Sequence, residues 1–173
     1  MKKFFSLLFV FCFGWLLWSC STEYHTDIFE IKFKELSFGN VIIEDVAQDR
    51  AVLQFSFIDG NGNLGTGKSD ENSRIYYTWY KKLPDQTYEQ FVFRSGTIEQ
   101  HNTIPHSNVM NRDEAHNKTL KGTIKAYLVR PLDPEDIDTM RIEFYIVDRL
   151  KNKSNVEYTP DFSILNLQDI IIP

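Results

Sequence analysis

The chain has 173 residues, which is enough for one domain with a sizeable hydrophobic core. Its 24 acidic residues outnumber its 19 basic residues, and the net charge is −5 at pH 7. The sequence has no basic patch of the kind that binds nucleic acid. Both cysteines, Cys12 and Cys20, lie near the start of the chain. The domain that follows therefore has neither a disulfide nor a free thiol.

The start of the chain is typical of an export signal. Two lysines precede an almost unbroken hydrophobic run up to Trp18, and this run is short for a membrane span. Residues 17–20, LWSC, resemble the lipobox of bacterial lipoproteins, in which the cysteine receives the lipid and becomes the first residue of the mature protein. We predict three parts: a signal peptide over residues 1–19, a lipidated Cys20 with a polar tether over residues 20–27, and a domain over residues 28–173.

The predicted lipid determines where the protein should be found. Several acyl chains on Cys20 would anchor it stably, since each buried methylene contributes about 0.8 kcal/mol. We expect a lipoprotein of the cell envelope in the outer membrane, on either its periplasmic face or the cell surface. Without the signal peptide the chain has 17 basic and 24 acidic residues, a net charge of −7, which does not favour binding to anionic lipid.

The remaining chain alternates between apolar and polar residues, which predicts strands. The first strand is followed by a predicted turn at Phe38–Asn40 and a predicted edge strand at Val41–Val46. Residues His101–Lys118 are polar and lack a period, which predicts a long loop. The seven main strands are predicted at Ile28–Leu36, Ala51–Ile58, Arg74–Lys82, Tyr88–Glu99, Thr119–Val129, Thr139–Asp148 and Val156–Leu165. The fourth of them is predicted to have a kink at Ser95-Gly96.

About seven strands separated by turns are typical of an all-β protein with an antiparallel immunoglobulin-like sandwich. Trp79 stands on the third strand, where such sandwiches often bury a tryptophan. A small closed β-barrel is the alternative. Because consecutive strands of the sandwich alternate in direction, the loops after the second and sixth strands open at the same end. We therefore expect Asp59 and Asp148 to be neighbours within about 10 Å, with a cation or Arg149 compensating their charges.

The loop after the second strand carries oxygen-bearing side chains at alternate positions, Asp59, Asn61 and Asn63. Calcium prefers such ligands, and Asp70 falls where a twelve-residue calcium loop has its closing acid. One interpretation is therefore a Ca²⁺ site formed by these four residues and Asp148. The other is a plain glycine-rich turn, in which Asn61-Gly62 supplies positive φ angles and the side chains cap nearby backbone groups.

Two stretches of the chain resemble motifs of exported Bacteroidetes lipoproteins of uncharacterised function. The family pattern F-x-D-G-D-G-D-[IL]-G corresponds to residues 57–65, FIDGNGNLG, and the pattern I-x-D-R-x-x-N-x-S-N corresponds to residues 146–155, IVDRLKNKSN. The chain departs from the first pattern at Asn61 and Asn63, where the family has aspartates. The resemblance implies an exported, lipid-anchored protein with an immunoglobulin-like sandwich.

The residue types needed for catalysis are missing or do not occur in a catalytic pattern. The domain has no Gly-x-Ser-x-Gly elbow and no cysteine, so we predict that it is not an enzyme. His101, His106 and His116 have a spacing that fits no zinc pattern. The predicted function is a lipid-anchored envelope protein that binds or scaffolds another envelope component.

The aromatic third strand allows an alternative function. Its side chains Tyr76, Tyr77, Trp79 and Tyr80 could form a platform on which sugars stack, or they could divide between the core and the sheet surface. The first arrangement would indicate a carbohydrate-binding accessory lipoprotein of a glycan-uptake system. Envelope proteins and glycans are therefore both candidate partners.

Overall fold

A computed structural model of the protein describes residues 28–43, 45–65, 73–104, 109–110, 119–131, 138–163 and 171–172. All regular structure in these residues is β-structure, and none of them belongs to a helix that is long and apolar enough to cross a membrane. The predicted signal peptide, Cys20, the tether up to residue 27 and Asp70 lie outside the described residues.

The described residues form eleven strands, and each strand pairs with at least one other. They are β1 (Phe29–Ile43), β2 (Val46–Asp59), β3 (Arg74–Lys82), β4 (Tyr88–Gln90), β5 (Glu99–Thr103), β6 (Val109–Met110), β7 (Leu120–Leu128), β8 (Thr139–Val147), β9 (Glu157–Tyr158), β10 (Phe162–Ser163) and β11 (Ile171–Ile172).

The strands pair into two antiparallel sheets. The first sheet has the order β11-β1-β2-β7-β6, and the second has the order β10-β8-β3-β4, with β5 also paired to β3 and β9 to β8. Strands β1, β2 and β7 match strands A, B and E of the immunoglobulin sandwich, and β3 and β8 match strands C and F. The predicted antiparallel sandwich is confirmed. The alternative of a closed barrel is not formed, because the described strands stay in two separate sheets.

Alternation along the strands builds the core between the two sheets. In β2 the inward side chains Phe55 and Phe57 are buried, and in β3 the inward side chain of Trp79 is 1% exposed. Phe55 packs against Phe144 of β8, with ring centroids 5.3 Å apart. The indole nitrogen of Trp79 donates a hydrogen bond of 3.1 Å to the carbonyl of Val129, so the largest core side chain also satisfies its polar atom.

The predicted turn at Phe38–Asn40 is wrong, and so is the separate edge strand at Val41–Val46. Strand β1 continues through these residues and pairs with β2 without a break from Glu35 to Ile43. Phe38 is buried, and the β-branched run after Asn40 favours an extended backbone. The chain reverses after Ile43 instead, and Asp45 takes a positive φ of 61° there. Aspartate tolerates this conformation better than most residues.

Two other predicted strands are interrupted. The strand predicted at Tyr88–Glu99 is split into β4 and β5 by a turn, in which the amide of Gly96, with a φ of 80°, donates to the carbonyl of Phe93 at 2.8 Å. The strand predicted at Val156–Leu165 is split into β9 and β10, because Pro160 lies between them and has no amide to donate.

The predicted loop at His101–Lys118 is only partly correct. Its first residues belong to β5, which pairs with β3 over Glu99–Thr103, and Val109–Met110 forms β6. His101 therefore lies on a strand, whereas His106 and His116 fall outside the described residues.

Candidate functional site

Asp59 ends β2, and the following loop folds around its carboxylate. The Oδ1 atom accepts hydrogen bonds from the backbone amides of Asn61 and Gly62, both at 3.2 Å, and Oδ2 accepts one from Leu64 at 2.8 Å. Gly62 takes a φ of 66°, and the side chain of Leu64 is buried in the core. The carboxylate is 1% exposed, so these three amides replace the water that it loses on folding.

Asp148, just after β8, is arranged in the same way. Its Oδ1 atom accepts a hydrogen bond of 2.8 Å from the backbone amide of Asn152, and its Oδ2 atom accepts one of 2.7 Å from the Asn152 side chain. The Asp148 amide donates to the Asn152 carbonyl at 3.0 Å, which closes the loop. Asp148 is also 1% exposed. Both family-like stretches therefore contain a buried aspartate whose own loop supplies its hydrogen-bond donors.

The two loops lie together at one end of the sandwich, as the strand order predicts. The Nε atom of Arg149 donates a hydrogen bond of 2.6 Å to the backbone carbonyl of Asn63, which joins the loops directly. Burial raises the pKa of the Asp59 carboxyl, the three loop amides oppose this, and the negative charge of Asp148 raises it further. The two carboxylates are thus close enough to interact electrostatically.

The end of the second stretch joins the two sheets. The side chain of Asn155 accepts a hydrogen bond of 2.7 Å from the Ile31 amide and donates one of 3.0 Å to the Ile31 carbonyl. It therefore pairs with β1 as a neighbouring strand would. Ser154 accepts a hydrogen bond from the Ile146 amide at 3.0 Å, which continues the edge of β8. These residues have structural roles that their spacing in the sequence does not reveal.

The calcium interpretation has mixed support from this geometry. Asn63 is 9% exposed, and neither its Oδ1 nor its Nδ2 atom has a hydrogen-bond partner within the part of the chain that the structure describes. However, Asp59 already accepts three amide hydrogen bonds, Asn61 is exposed, and Asp70 lies outside the described residues. Among those residues, no three His, Cys, Asp or Glu side chains converge. Calcium binding at this loop stays a prediction.

The outer face of the second sheet carries a set of tyrosines, which we call the tyrosine face. It contains Tyr76 and Tyr80 of β3, whereas Tyr77 and Trp79 of the same strand point into the core. The aromatic strand thus divides between core and surface, the second of the two arrangements that its sequence allows. The other members of the face come from neighbouring strands and, in the case of Lys153, from the segment after β8: Tyr88, Tyr145 and Tyr158, together with His101, Arg141, Glu143 and Lys153.

Rings and cations on the tyrosine face stack in two rows across the strands. In one row, Tyr76 stacks on Tyr145 at 5.1 Å with 10° between the ring planes, and His101 lies 5.6 Å from Tyr76 on the neighbouring strand. The ammonium of Lys153 lies 3.6 Å from the centroid of Tyr145. Cross-strand aromatic pairs contribute about 0.2–1 kcal/mol each, and cation–π contacts at exposed sites contribute about 0.5–1 kcal/mol each.

The second row is centred on Arg141. Its guanidinium lies 3.5 Å from the ring centroid of Tyr88 and 4.7 Å from that of Tyr158. The hydroxyls of Tyr158 and Tyr80 both donate to Glu143, at 2.7 and 3.2 Å. The row is therefore fixed by stacking and by hydrogen bonds at the same time.

Two tyrosines of the face, Tyr145 and Tyr158, have a raised pKa. Burial and the hydrogen bond to Glu99 raise the pKa of Tyr145 to about 12. The hydrogen bond to Glu143 raises the pKa of Tyr158. The hydroxyls of these two tyrosines therefore lie next to carboxylates, and the face also carries the cations of Arg141 and Lys153.

A small cavity lies between the edges of the two sheets. It has a volume of about 260 Å³ and lies between β5 and β7, near the hairpin formed by β1 and β2. Its walls include Ile75, Ile104 and Ile124, and its polar groups include Arg50 and Asn102. This volume is below the size of about 300 Å³ at which pockets that enclose small molecules typically begin.

Comparison with known proteins adds no functional assignment. No protein-family model, curated protein or solved structure matches the chain.

Proposed function

We propose that the protein is a lipid-anchored component of the cell envelope that binds another macromolecule without catalysing a reaction, and that the tyrosine face is its binding surface. The observation that supports this proposal is the pair of stacked rows on the outer face of the second sheet. Tyrosine and arginine are among the residues that are enriched at protein interfaces and in their energetic hot spots.

The order within the rows favours binding. A tyrosine has few rotatable bonds, and one that is already held between neighbouring rings or cations loses little further entropy when a partner binds. Tyr76 and Arg141 are held in this way in the free protein. Hydroxyls, carboxylates and ammonium groups around them offer a partner both hydrogen bonds and salt bridges.

The same observation favours a protein partner over a glycan. Sugars stack on open aromatic ring faces, but Tyr76 stacks on Tyr145, and Arg141 covers one face of Tyr88. The alternative function, a carbohydrate-binding accessory lipoprotein of a glycan-uptake system, depends on the outer surfaces of these rings. Tyr158, which is 44% exposed, is the most accessible of them.

The binding function can be tested with the lipoprotein purified from its native membranes together with its partners. Tyr158→Ala and Tyr88→Ala remove half-exposed rings from the tyrosine face, so we expect affinity for the partner to fall about 30-fold if they are hot spots. Tyr127→Ala is the matched control, because Tyr127 is half-buried on the first sheet. Equal partner binding by all three variants would refute the proposed surface, and ligands on a glycan array would favour the alternative function.

The anchor is tested separately. Cys20→Ser removes the predicted lipid attachment site, so the protein should move from the membrane fraction to the soluble fraction while its circular dichroism spectrum stays that of a β-protein. A folded variant that still sediments with membranes would contradict the lipid anchor and leave the tyrosine face untouched.

A further inference from the structure

The chain enters the sandwich at the end that carries the two aspartate loops. Phe29, the first residue of β1, is in register with Asp59, and the carbonyl of Ile28 accepts a hydrogen bond of 2.8 Å from the Gly60 amide. Seven residues separate Cys20 from Ile28. Even fully extended, this segment spans at most about 28 Å, whereas β1 alone is about 50 Å long. A lipid on Cys20 would therefore hold this end, which we call the tether end, nearest to the bilayer.

Among the described residues of the tether end, basic side chains outnumber acidic ones. The described residues there include an exposed acid, Glu30, and the two buried aspartates, whose carboxylates accept hydrogen bonds from their own loops. Against these stand five basic residues of the same end, Arg74, Lys121, Arg149, Lys151 and Lys153. The described part of this end is therefore less acidic than the net charge of −7 indicates for the chain without its signal peptide.

An apolar side chain projects from the middle of this basic surface. Leu150 is 67% exposed and stands between Arg149 and Lys151 at the tip of the loop after β8. The hydrogen bonds between Asp148 and Asn152 hold the base of the loop from which Leu150 projects. A single exposed leucine is ordinary on a protein surface. Leu150 differs from an ordinary exposed leucine because it lies next to basic residues at the end of the domain that the predicted lipid would hold nearest to the bilayer.

We propose that the tether end docks on an anionic bilayer, with Leu150 entering the interface and Lys151 and its basic neighbours contacting lipid phosphates. This combination of an apolar tip and surrounding cations is that of peripheral membrane contacts. The inference rests on the lipid anchor proposed above. It sets the strands upright on the membrane, so that the tyrosine face points sideways and stays accessible to a partner in the same membrane.

The proposal can be tested with the mature lipoprotein in vesicles, because its one cysteine is acylated and an added cysteine can be labelled selectively. Leu150→Cys and Ile42→Cys are labelled with an environment-sensitive fluorophore in vesicles of phosphatidylethanolamine and phosphatidylglycerol with lipid-borne quenchers. Ile42, which is 76% exposed near the opposite end, is the matched control. We expect the lipid-borne quenchers to reduce the emission of the label at position 150 and to leave the emission of the label at position 42 unchanged. Equal emission at both positions in vesicle-bound protein would overturn the docking proposal alone.

The charge contribution has its own test. Lys151→Gln in the Leu150→Cys background should lower the ratio of docked to undocked protein about fivefold on these vesicles, since a basic residue near an anionic surface contributes about that factor. Lys81→Gln, far from the tether end, should leave it unchanged. Quenching that is equally strong on purely zwitterionic vesicles would refute the preference for an anionic surface. If the protein without an added cysteine takes up the label, Cys20 is not acylated, and the lipid anchor fails together with the inference.

Discussion

Asp59→Ala removes the acceptor around which the loop after β2 is folded. Three backbone amides lose their hydrogen-bond acceptor. The amides differ in whether water can take the place of the carboxylate. Asn61 is exposed and Gly62 half-buried, so water can reach these amides, whereas the amide of Leu64 is buried and donates the shortest of the three bonds. An unsatisfied buried donor costs about 1–3 kcal/mol. We expect the free energy of unfolding to fall by about that amount.

The effect should depend on pH in a defined direction. The pKa of Asp59 is raised in the folded protein, chiefly by burial, so the folded state binds this proton more tightly than the unfolded chain does. The resulting stabilisation is fully present below the unfolded value of 3.8 and is lost as pH rises through the folded value. The difference in stability between the native protein and Asp59→Ala should therefore be larger in acid than at neutral pH.

Urea unfolding at several pH values measures both effects, and Asp85→Ala provides a matched control. Asp85 accepts hydrogen bonds from the amide and hydroxyl of Thr87 in a turn that is exposed to solvent. The released groups can bond to water, so the loss of stability should be smaller than for Asp59→Ala. If both variants unfold at the same urea concentration as the native protein, the loop does not depend on the Asp59 carboxylate. A difference that grows with pH would show that burial does not set the pKa of this group.

Three further predictions concern the same end of the sandwich and the tyrosine face. Asn155→Ala should lower the free energy of unfolding by about 1–3 kcal/mol, because both polar backbone groups of Ile31 lose a partner; unchanged urea unfolding would contradict this bridge between the sheets. If the Asp59 loop binds calcium, calcium at a hundred times its dissociation constant should raise the free energy of unfolding by about 2.7 kcal/mol. An identical melting midpoint in calcium and in a chelator would reject the calcium site. Ultraviolet titration should show a tyrosine that ionises at about pH 12, and this transition should disappear in Tyr145→Phe.

The sequence by itself determined the fold class and the ends of several strands. Alternation has a period of two residues and is set by the pleat of a single strand, so it can be read without knowing the neighbouring strands. It correctly predicts the strand of Trp79 and places Asp59 and Asp148 at strand ends. Because antiparallel order fixes which loops share an end, it also predicts that the two aspartate loops lie together. It does not reveal that each carboxylate is bound by its own loop.

Only the tertiary structure decided how these local elements are used. Strand β1 continues past Phe38 because β2 pairs with it and Phe38 is buried under the second sheet, against Phe162. The tyrosine face exists because pairing of β3 with β8 places Tyr76 next to Tyr145, which lies 69 positions further along the chain. Stacking distance and burial depend on register between such distant segments. Local alternation cannot specify that register, since only the packing of the two sheets makes one pairing more stable than the others.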